Sequence, residues 1–334
     1  MKFRFPQYSL IDILAERIGY KAGLLLSLPE ILKLLTPLNF KEIILSSEKN
    51  SIILRAEDFE HIYFTLLKCI GYLQIDYEPD PLGVSIYHKY KDTKLDIVKG
   101  VLSILVKFTN DCVEDAKQRG SDKYDPTPLF IESFKQFGKD GIEILHEFLQ
   151  HQHAFQMLSL DTNFRYDDWN SIISLEDLFL SQKNNAETRK YLDQRYINYL
   201  SQNYSEIESI NWRKFEELTA EYFSNHGFKI ELGPGAKDDG VDIRAWNSDN
   251  LNELTIIQCK RQKSKIDKVI VKGLQSDVIY NNAKYGLIVT TSELSKGARE
   301  TISTRGYPIE EINKPHLMNW LNQLKTPGRG IIRK

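Results

Sequence analysis

Val241-Asp242-Ile243-Arg244-Ala245-Trp246 and Leu254-Thr255-Ile256-Ile257-Gln258-Cys259-Lys260 are two strand-like segments, rich in β-branched and aromatic residues, separated by the polar stretch 247–252. Working outward, Phe228 to Leu232 forms a further strand. Before it, Asn211 is placed to cap a helix and Gly227 to end it in the left-handed conformation. Within that helix Phe215, Leu218, Thr219, Tyr222 and Phe223 recur at the spacing of one buried face. Downstream, Ile266 to Asn282 reads as a helix with Ile266, Val269, Ile270, Gly273, Leu274 and Val278 inward. Tyr285 to Thr290 is a buried-type strand, Ser295 to Arg305 a helix, Pro308 to Ile312 a strand and Pro315 to Leu324 a closing helix. The expected order is α-β-β-β-α-β-α-β-α: an α/β domain with a mixed sheet flanked by helices.

Side chains alternate along a strand, so Gln258 and Lys260 point to one face and Cys259 to the other. Asp242 stands where a turn, Asp239-Gly240, enters the neighbouring strand. Magnesium takes oxygen ligands, usually one or two carboxylates with water and a substrate phosphate. Asp242 and the Gln258 amide oxygen supply such donors, the backbone carbonyl of Cys259 is a third candidate, and Lys260 offers an ammonium to a phosphate or to an attacking water. Glu216 and Glu217 compete for a further role. With Phe215 at zero and about 100° per residue, Glu216 falls at the edge of the buried face and Glu217 out in solvent, which selects Glu216. Lys263, Lys265, Lys268 and Lys272 follow the second strand and suit contact with a phosphate backbone; the alternative is a solvated face.

Asp242 followed by Gln258-Cys259-Lys260 resembles the PD-(D/E)xK nuclease signature in its Gln-x-Lys form, as found in the Mrr-like restriction endonuclease family. Phe215-Glu216, Gly227-Phe228, Asp239-Gly240-Val241-Asp242, Val289-Thr290-Thr291-Ser292 and Ala298 extend the resemblance across Trp212 to Leu324. The resemblance implies a restriction-endonuclease-like fold, cleavage of DNA with Mg2+ (Mn2+ substituting) and defence against foreign DNA. Two departures stand out: the interval of 16 positions between Asp242 and Gln258, which implies a longer hairpin, and a glutamine where an acid would hold metal more strongly. A nuclease-fold DNA-binding module without catalysis, and a structure-selective nuclease for junctions or RNA, are the alternatives.

The chain of 334 residues, 41% hydrophobic and 27% charged, is long enough for two domains with real cores. Its net charge of −2 hides an asymmetry: residues 211–334 hold 20 Lys and Arg against 15 Asp and Glu, leaving 24 against 31 for the front. The expected organisation is an acidic, mainly α-helical N-terminal domain over 1–205, a nuclease domain over 206–325 and a basic tail over 326–334. The front domain is expected to sense, regulate or oligomerise, giving a homodimer or larger assembly or engaging a further protein partner.

In that front domain Leu10 to Gly19, Leu28 to Leu35, Asp58 to Ile70, Leu95 to Ala116, Pro128 to Leu158, Leu175 to Leu180 and Glu187 to Leu200 read as helical, and Ile52 to Arg55 as a strand. Tyr72 to Tyr77 and Val84 to Tyr87 flank a Pro-Asp-Pro-Leu-Gly turn, which predicts a small β-hairpin. Its acidic loop favours a packing or partner surface over a nucleic-acid-reading wing. The longest apolar run, Val101 to Phe108, is too short to span a bilayer, no secretory leader opens the chain, and Cys69, Cys112 and Cys259 lack disulfide or metal spacing. A cytoplasmic protein outside the membrane is expected. His146-Glu147 with His151 misses zinc-protease spacing by one residue, and Gly233-Pro234-Gly235-Ala236-Lys237 lacks the hydroxyl residue of a phosphate loop.

Overall fold

The computed structural model describes residues 2–36, 40–73, 83–119, 125–158, 169–235, 240–247 and 250–325. In chain order the elements are β1 (Lys2–Phe5), α1 (Ser9–Ala22), β2 (Leu24–Leu25), α2 (Leu28–Leu34), α3 (Lys41–Lys49), β3 (Ile52–Arg55), α4 (Ala56–Cys69), α5 (Val84–Tyr90), α6 (Leu95–Arg119) and α7 (Thr127–Leu158). There follow β4 (Ile173–Ser174), α8 (Asp177–Leu180), α9 (Gln194–Gln202), α10 (Trp212–Asn225), β5 (Phe228–Leu232), β6 (Ile243–Asn247) and β7 (Asn250–Lys260). The chain continues with α11 (Lys268–Tyr280), β8 (Tyr285–Thr290), α12 (Lys296–Arg305), β9 (Ile309–Ile312) and α13 (Lys314–Leu324). The last nine elements keep the order expected from the sequence. They build one five-stranded sheet in the order β5-β6-β7-β8-β9, antiparallel from β5 to β7 and parallel from β7 to β9.

This is a restriction-endonuclease-like mixed sheet with helices on both faces. Asn211 caps α10 by accepting from Arg213 N at 2.9 Å, and Gly227 follows with φ +84°. On one face Val271, Leu274 and Val278 of α11 and Ala298 of α12 pack over Ile256 of β7, Ile288 of β8 and Ile309 of β9. Burial of that many aliphatic side chains, at about 1.5–3 kcal/mol each, is what holds the layers together. Val269 is 65% exposed, against expectation, and Val271 takes the inward position. Both fit a helical repeat; Asp267, whose carboxylate caps Val269 N at 2.7 Å, fixes the start that chooses between them.

Cα proximity divides the chain into two compact units, Met1–Gln74 with Arg165–Pro327, and Ile75–Phe164 with Gly328–Lys334. The first unit thus joins front residues to the sheet. Long-range pairings explain it. β1 pairs with β3, and β2 runs parallel to β4, with Leu24 opposite Ile173. Arg195 donates to Gly23 O at 2.9 Å and Ser171 O at 2.8 Å while paired with Asp193 at 2.8 Å. Strands this short carry little sequence signal, and β1, β2, β4 and α3 were not expected. The helix expected over Glu187 to Leu200 begins only at Gln194, because Asp193 caps it through Arg195 N.

In the second unit Val84–Tyr90 is a helix, α5, and not the strand of a hairpin. Gly83, at φ +62°, starts it, and Ile86 is buried among Val98, Val101, Leu129 and Ile144. The alternation of Val84 and Ile86 was misleading because tertiary burial overrides local propensity over so few residues. Most of the partner segment, Tyr72 to Tyr77, lies outside the described residues, as does the tail over 326–334. α7 is broken at Gly138, φ +59° and ψ −143°.

Glu217, expected in solvent, is 1% exposed. Residues ahead of α10 cover its outer face: Lys214 pairs with Glu217 at 2.8 Å and donates to Lys183 O, and Arg189 reaches Glu221 at 3.4 Å. Burial pushes the Glu217 carboxyl pKa up against the opposing pull of Lys214. Glu217→Ala is expected to lower the unfolding free energy by about 3–5 kcal/mol, since it strands the Lys214 charge. Replacing both residues by apolar ones of similar volume should restore most of it. Urea denaturation of the single and double variants checks this.

Candidate active site

β6 and β7 meet at the register Ile243↔Ile257, so Asp242, one residue before β6, lies beside Gln258. The Asp242 carboxylate is buried and accepts the backbone N–H of Cys259 at 2.6 Å through Oδ2. That bond ties the turn before β6 to the body of β7 and fixes the carboxylate at the junction of the two strands. Gln258 is buried as well. Its Nε2 donates to Gly240 O at 3.0 Å, and its Oε1 is a buried oxygen without a hydrogen-bond partner. Left without a partner such an atom costs about 1–3 kcal/mol, so it is free to accept from water or to meet a bound group. Gly240 has φ +87°, a conformation that disfavours side chains, and brings its carbonyl onto the amide.

Lys260 closes β7. Its carbonyl accepts from Thr290 Oγ1 at 2.8 Å and from Thr291 N at 3.3 Å, so the neighbouring parallel strand holds the backbone from which the half-buried ammonium projects. Among the described residues no ion pair neutralises that ammonium. Arg261, next in sequence, turns to the opposite side and donates to Glu208 O at 2.9 Å.

Glu216 approaches on the Cys259 side. It is buried, pairs with Arg213 at 2.9 Å, and sits one turn of α10 before Thr219, whose hydroxyl receives the Cys259 thiol at 3.6 Å. Burial pushes the Cys259 thiol pKa well above its ordinary value, and the charges of Asp242 and Glu216 push it further, with Lys260 opposing. The thiol is therefore neutral and no nucleophile. The charges of Asp242, Glu216 and Lys260 are thus all felt at the Cys259 thiol. Arg213, the partner that orients Glu216, was missed in the sequence, although its i,i+3 spacing was visible. The Gly240 carbonyl on Gln258 left no sequence signal beyond the glycine itself.

Among the basic residues after β7, Lys263, Lys268 and Lys272 are exposed, the last two one turn apart on α11. Lys265 is exposed too, but its ammonium lies 2.6 Å from Glu293. Asp242 and Gln258 bring a carboxylate and an unpartnered amide oxygen to one strand junction, with the Cys259 carbonyl in the same strand. All are hard oxygen donors of the kind a divalent cation such as Mg2+ takes. Among the described residues no three His, Cys, Asp or Glu side chains gather as a metal site, so a cation here would rely on the amide and carbonyl oxygens beside one carboxylate.

Residues 207–321 match the Mrr_cat family model, described as a restriction endonuclease. This segment is a restriction endonuclease domain. The "Uncharacterized protein y4cE" of Sinorhizobium fredii (strain NBRC 101917 / NGR234) is 28% identical over 101 residues, which is 29% of this chain and 26% of that protein. The chain therefore matches about a quarter of the length of that relative. Two solved structures are similar. The DNA modification-dependent restriction endonuclease AspBHI is 17% identical at a TM-score of 0.31, over 42% of this chain and 40% of that one. MspJI restriction endonuclease, in complex with a 27-mer oligonucleotide, is 18% identical at a TM-score of 0.28, over 58% and 42%. Among the described residues no helix is long and apolar enough to cross a membrane.

Proposed function

We propose that this chain is a Mg2+-dependent endodeoxyribonuclease, with Mn2+ able to substitute, that hydrolyses phosphodiester bonds of foreign DNA in the cytoplasm. The observation that carries the reading is the buried, unpartnered Oε1 of Gln258, the residue before the one whose backbone N–H the Asp242 carboxylate accepts, with Lys260 two positions along the same strand. Asp242, Gln258 and the Cys259 carbonyl would hold the cation, which when bound supplies Lewis-acid polarisation of the phosphodiester. The chain's own residues do the rest. The Cys259 N–H and the Gly240 carbonyl lock Asp242 and Gln258 in place before substrate arrives, so little reorganisation is left to the reaction. The Lys260 ammonium meets the negative charge that grows on the phosphate oxygens, and Glu216, oriented by Arg213, adds a carboxylate from α10.

Lys263, Lys265, Lys268 and Lys272 are assigned to the DNA backbone. Lys263→Ala with Lys265→Ala is expected to weaken DNA binding and flatten its salt dependence, by a slope of up to about one for each phosphate no longer neutralised. Lys263 should carry more of the effect, since Lys265 already has Glu293 as a partner. Titrations over a range of salt concentrations, with each single variant, check the order; an unchanged slope would make this a solvated face. The front region, 1–205 in this proposal, regulates or senses and builds a homodimer or larger assembly, because cutting both strands of a duplex takes two such centres. The deciding experiment is cleavage of plasmid DNA with Mg2+, with chelator, and with Lys260→Ala. Cation-dependent cleavage that disappears in the variant supports the nuclease reading. Binding without cleavage under all conditions would favour an inactive DNA-binding module.

A further inference from the structure

The Gln-x-Lys form leaves the Gln258 face of β7 with a neutral amide where a carboxylate would serve a cation better. β7 has two faces, covered by different helices. α10 lies on the Cys259 side and brings Glu216; α11 lies on the side of Ile256 and Gln258. Asp277, half-buried on α11 between the buried Leu274 and Val278, approaches Gly240, as the Gln258 amide does. A Cβ built on Gly240 would stand 3.5 Å from Gln258 Nε2 and 3.7 Å from Asp277 Oδ2, so the amide and the carboxylate converge on one glycine. Beside them is the Gln258 Oε1 that has no hydrogen-bond partner although Gln258 is more than nine-tenths buried.

We infer that Asp277 is a further residue of the site: from α11 it supplies the negative charge that the Gln258 amide lacks, and so strengthens binding of a divalent cation. The inference rests on the proposed cation-dependent centre and extends it to a residue outside the Asp-Gln-x-Lys pattern. The charge need not touch the cation. Groups that surround a metal site without ligating it change affinity by about 10–100-fold. In the partly buried environment between sheet and helix a carboxylate a few ångströms away acts far more strongly than in water.

Calorimetric titration of the full chain with Mn2+ and with Mg2+, in the absence of DNA, tests this without relying on cleavage. Asp277→Asn, which keeps size and removes charge, is expected to weaken cation binding about tenfold. Gln258→Glu added to Asp277→Asn should recover the wild-type affinity, because the charge returns on the same face. Asp277→Glu should keep it. Wild-type affinity in Asp277→Asn would overturn the inference while leaving the centre itself in place. An equal loss in Asp277→Glu would make packing the cause and overturn it too. A wild-type chain that binds neither ion would remove the proposed centre altogether, an outcome distinct from the other two.

Discussion

Asp242→Asn is expected to lower the rate of DNA cleavage about a thousandfold, or about 4 kcal/mol of barrier, while changing stability little. The two effects separate because Asp242 has two jobs. In the proposed centre its charge serves the cation, and its Oδ2 satisfies the buried backbone N–H of Cys259 at 2.6 Å. An asparagine oxygen still accepts that bond, whereas the charge is gone. Asp242→Ala removes both, so the same loss of cleavage should come with a destabilisation of about 1–3 kcal/mol from the orphaned N–H. Cleavage rates beside urea unfolding of the two variants check the split. Near-wild-type cleavage by Asp242→Asn would move the centre elsewhere, and equal stability of the two variants would mean that the Cys259 bond contributes nothing.

The positions of these residues follow from the sheet order. β7 is the central strand, antiparallel to β6 and parallel to β8. An antiparallel neighbour delivers Asp242 at the start of its strand beside Gln258 near the end of the next. A parallel neighbour delivers Thr290 and Thr291 at the same end as Lys260, where they grip its carbonyl. The carboxylate, the amide and the ammonium are thus presented by strand ends braced from both sides, which suits a centre that must hold its geometry while substrate changes charge.

The C-terminal half was legible because its elements are long enough to show a period and are punctuated by residues with a physical reason to be there. Asn211 caps, Gly227 takes φ +84°, and strand alternation sets Gln258 and Lys260 on one face against Cys259. What escaped was set by tertiary contact. Glu217 is charged and lies on the outward side of α10, yet the segment that carries Lys183 and Arg189 covers it. Val84 and Ile86 alternate as in a strand, yet a left-handed Gly83 and a helical neighbour's core make them a helix. The two-residue strands β2 and β4 pair across 149 positions, Leu24 with Ile173, which no local pattern encodes. Arg213, too, was recognisable as a partner of Glu216 only once Glu216 itself had been placed.

Lys260→Ala is expected to cost about 10²–10³-fold in cleavage, with DNA binding reduced far less. The ammonium has one assignable task. It projects from the end of β7 and is not neutralised by any ion pair among the described residues, so its charge is available to a phosphate. Its backbone does not depend on the side chain, because Thr290 Oγ1 and Thr291 N hold the carbonyl. Alanine should therefore leave the strand and the unfolding free energy within about 1 kcal/mol of wild type, as for a half-buried side chain without hydrogen-bonded partners. Lys260→Arg should recover only part of the rate. A guanidinium keeps the charge but spreads it over a planar fork that is longer than the ammonium it replaces. Single-turnover cleavage at saturating enzyme separates this effect from weakened binding. If the rate fell only in proportion to DNA affinity, Lys260 would be one more backbone contact like Lys263, and the charge that meets the reacting phosphate would have to come from another residue.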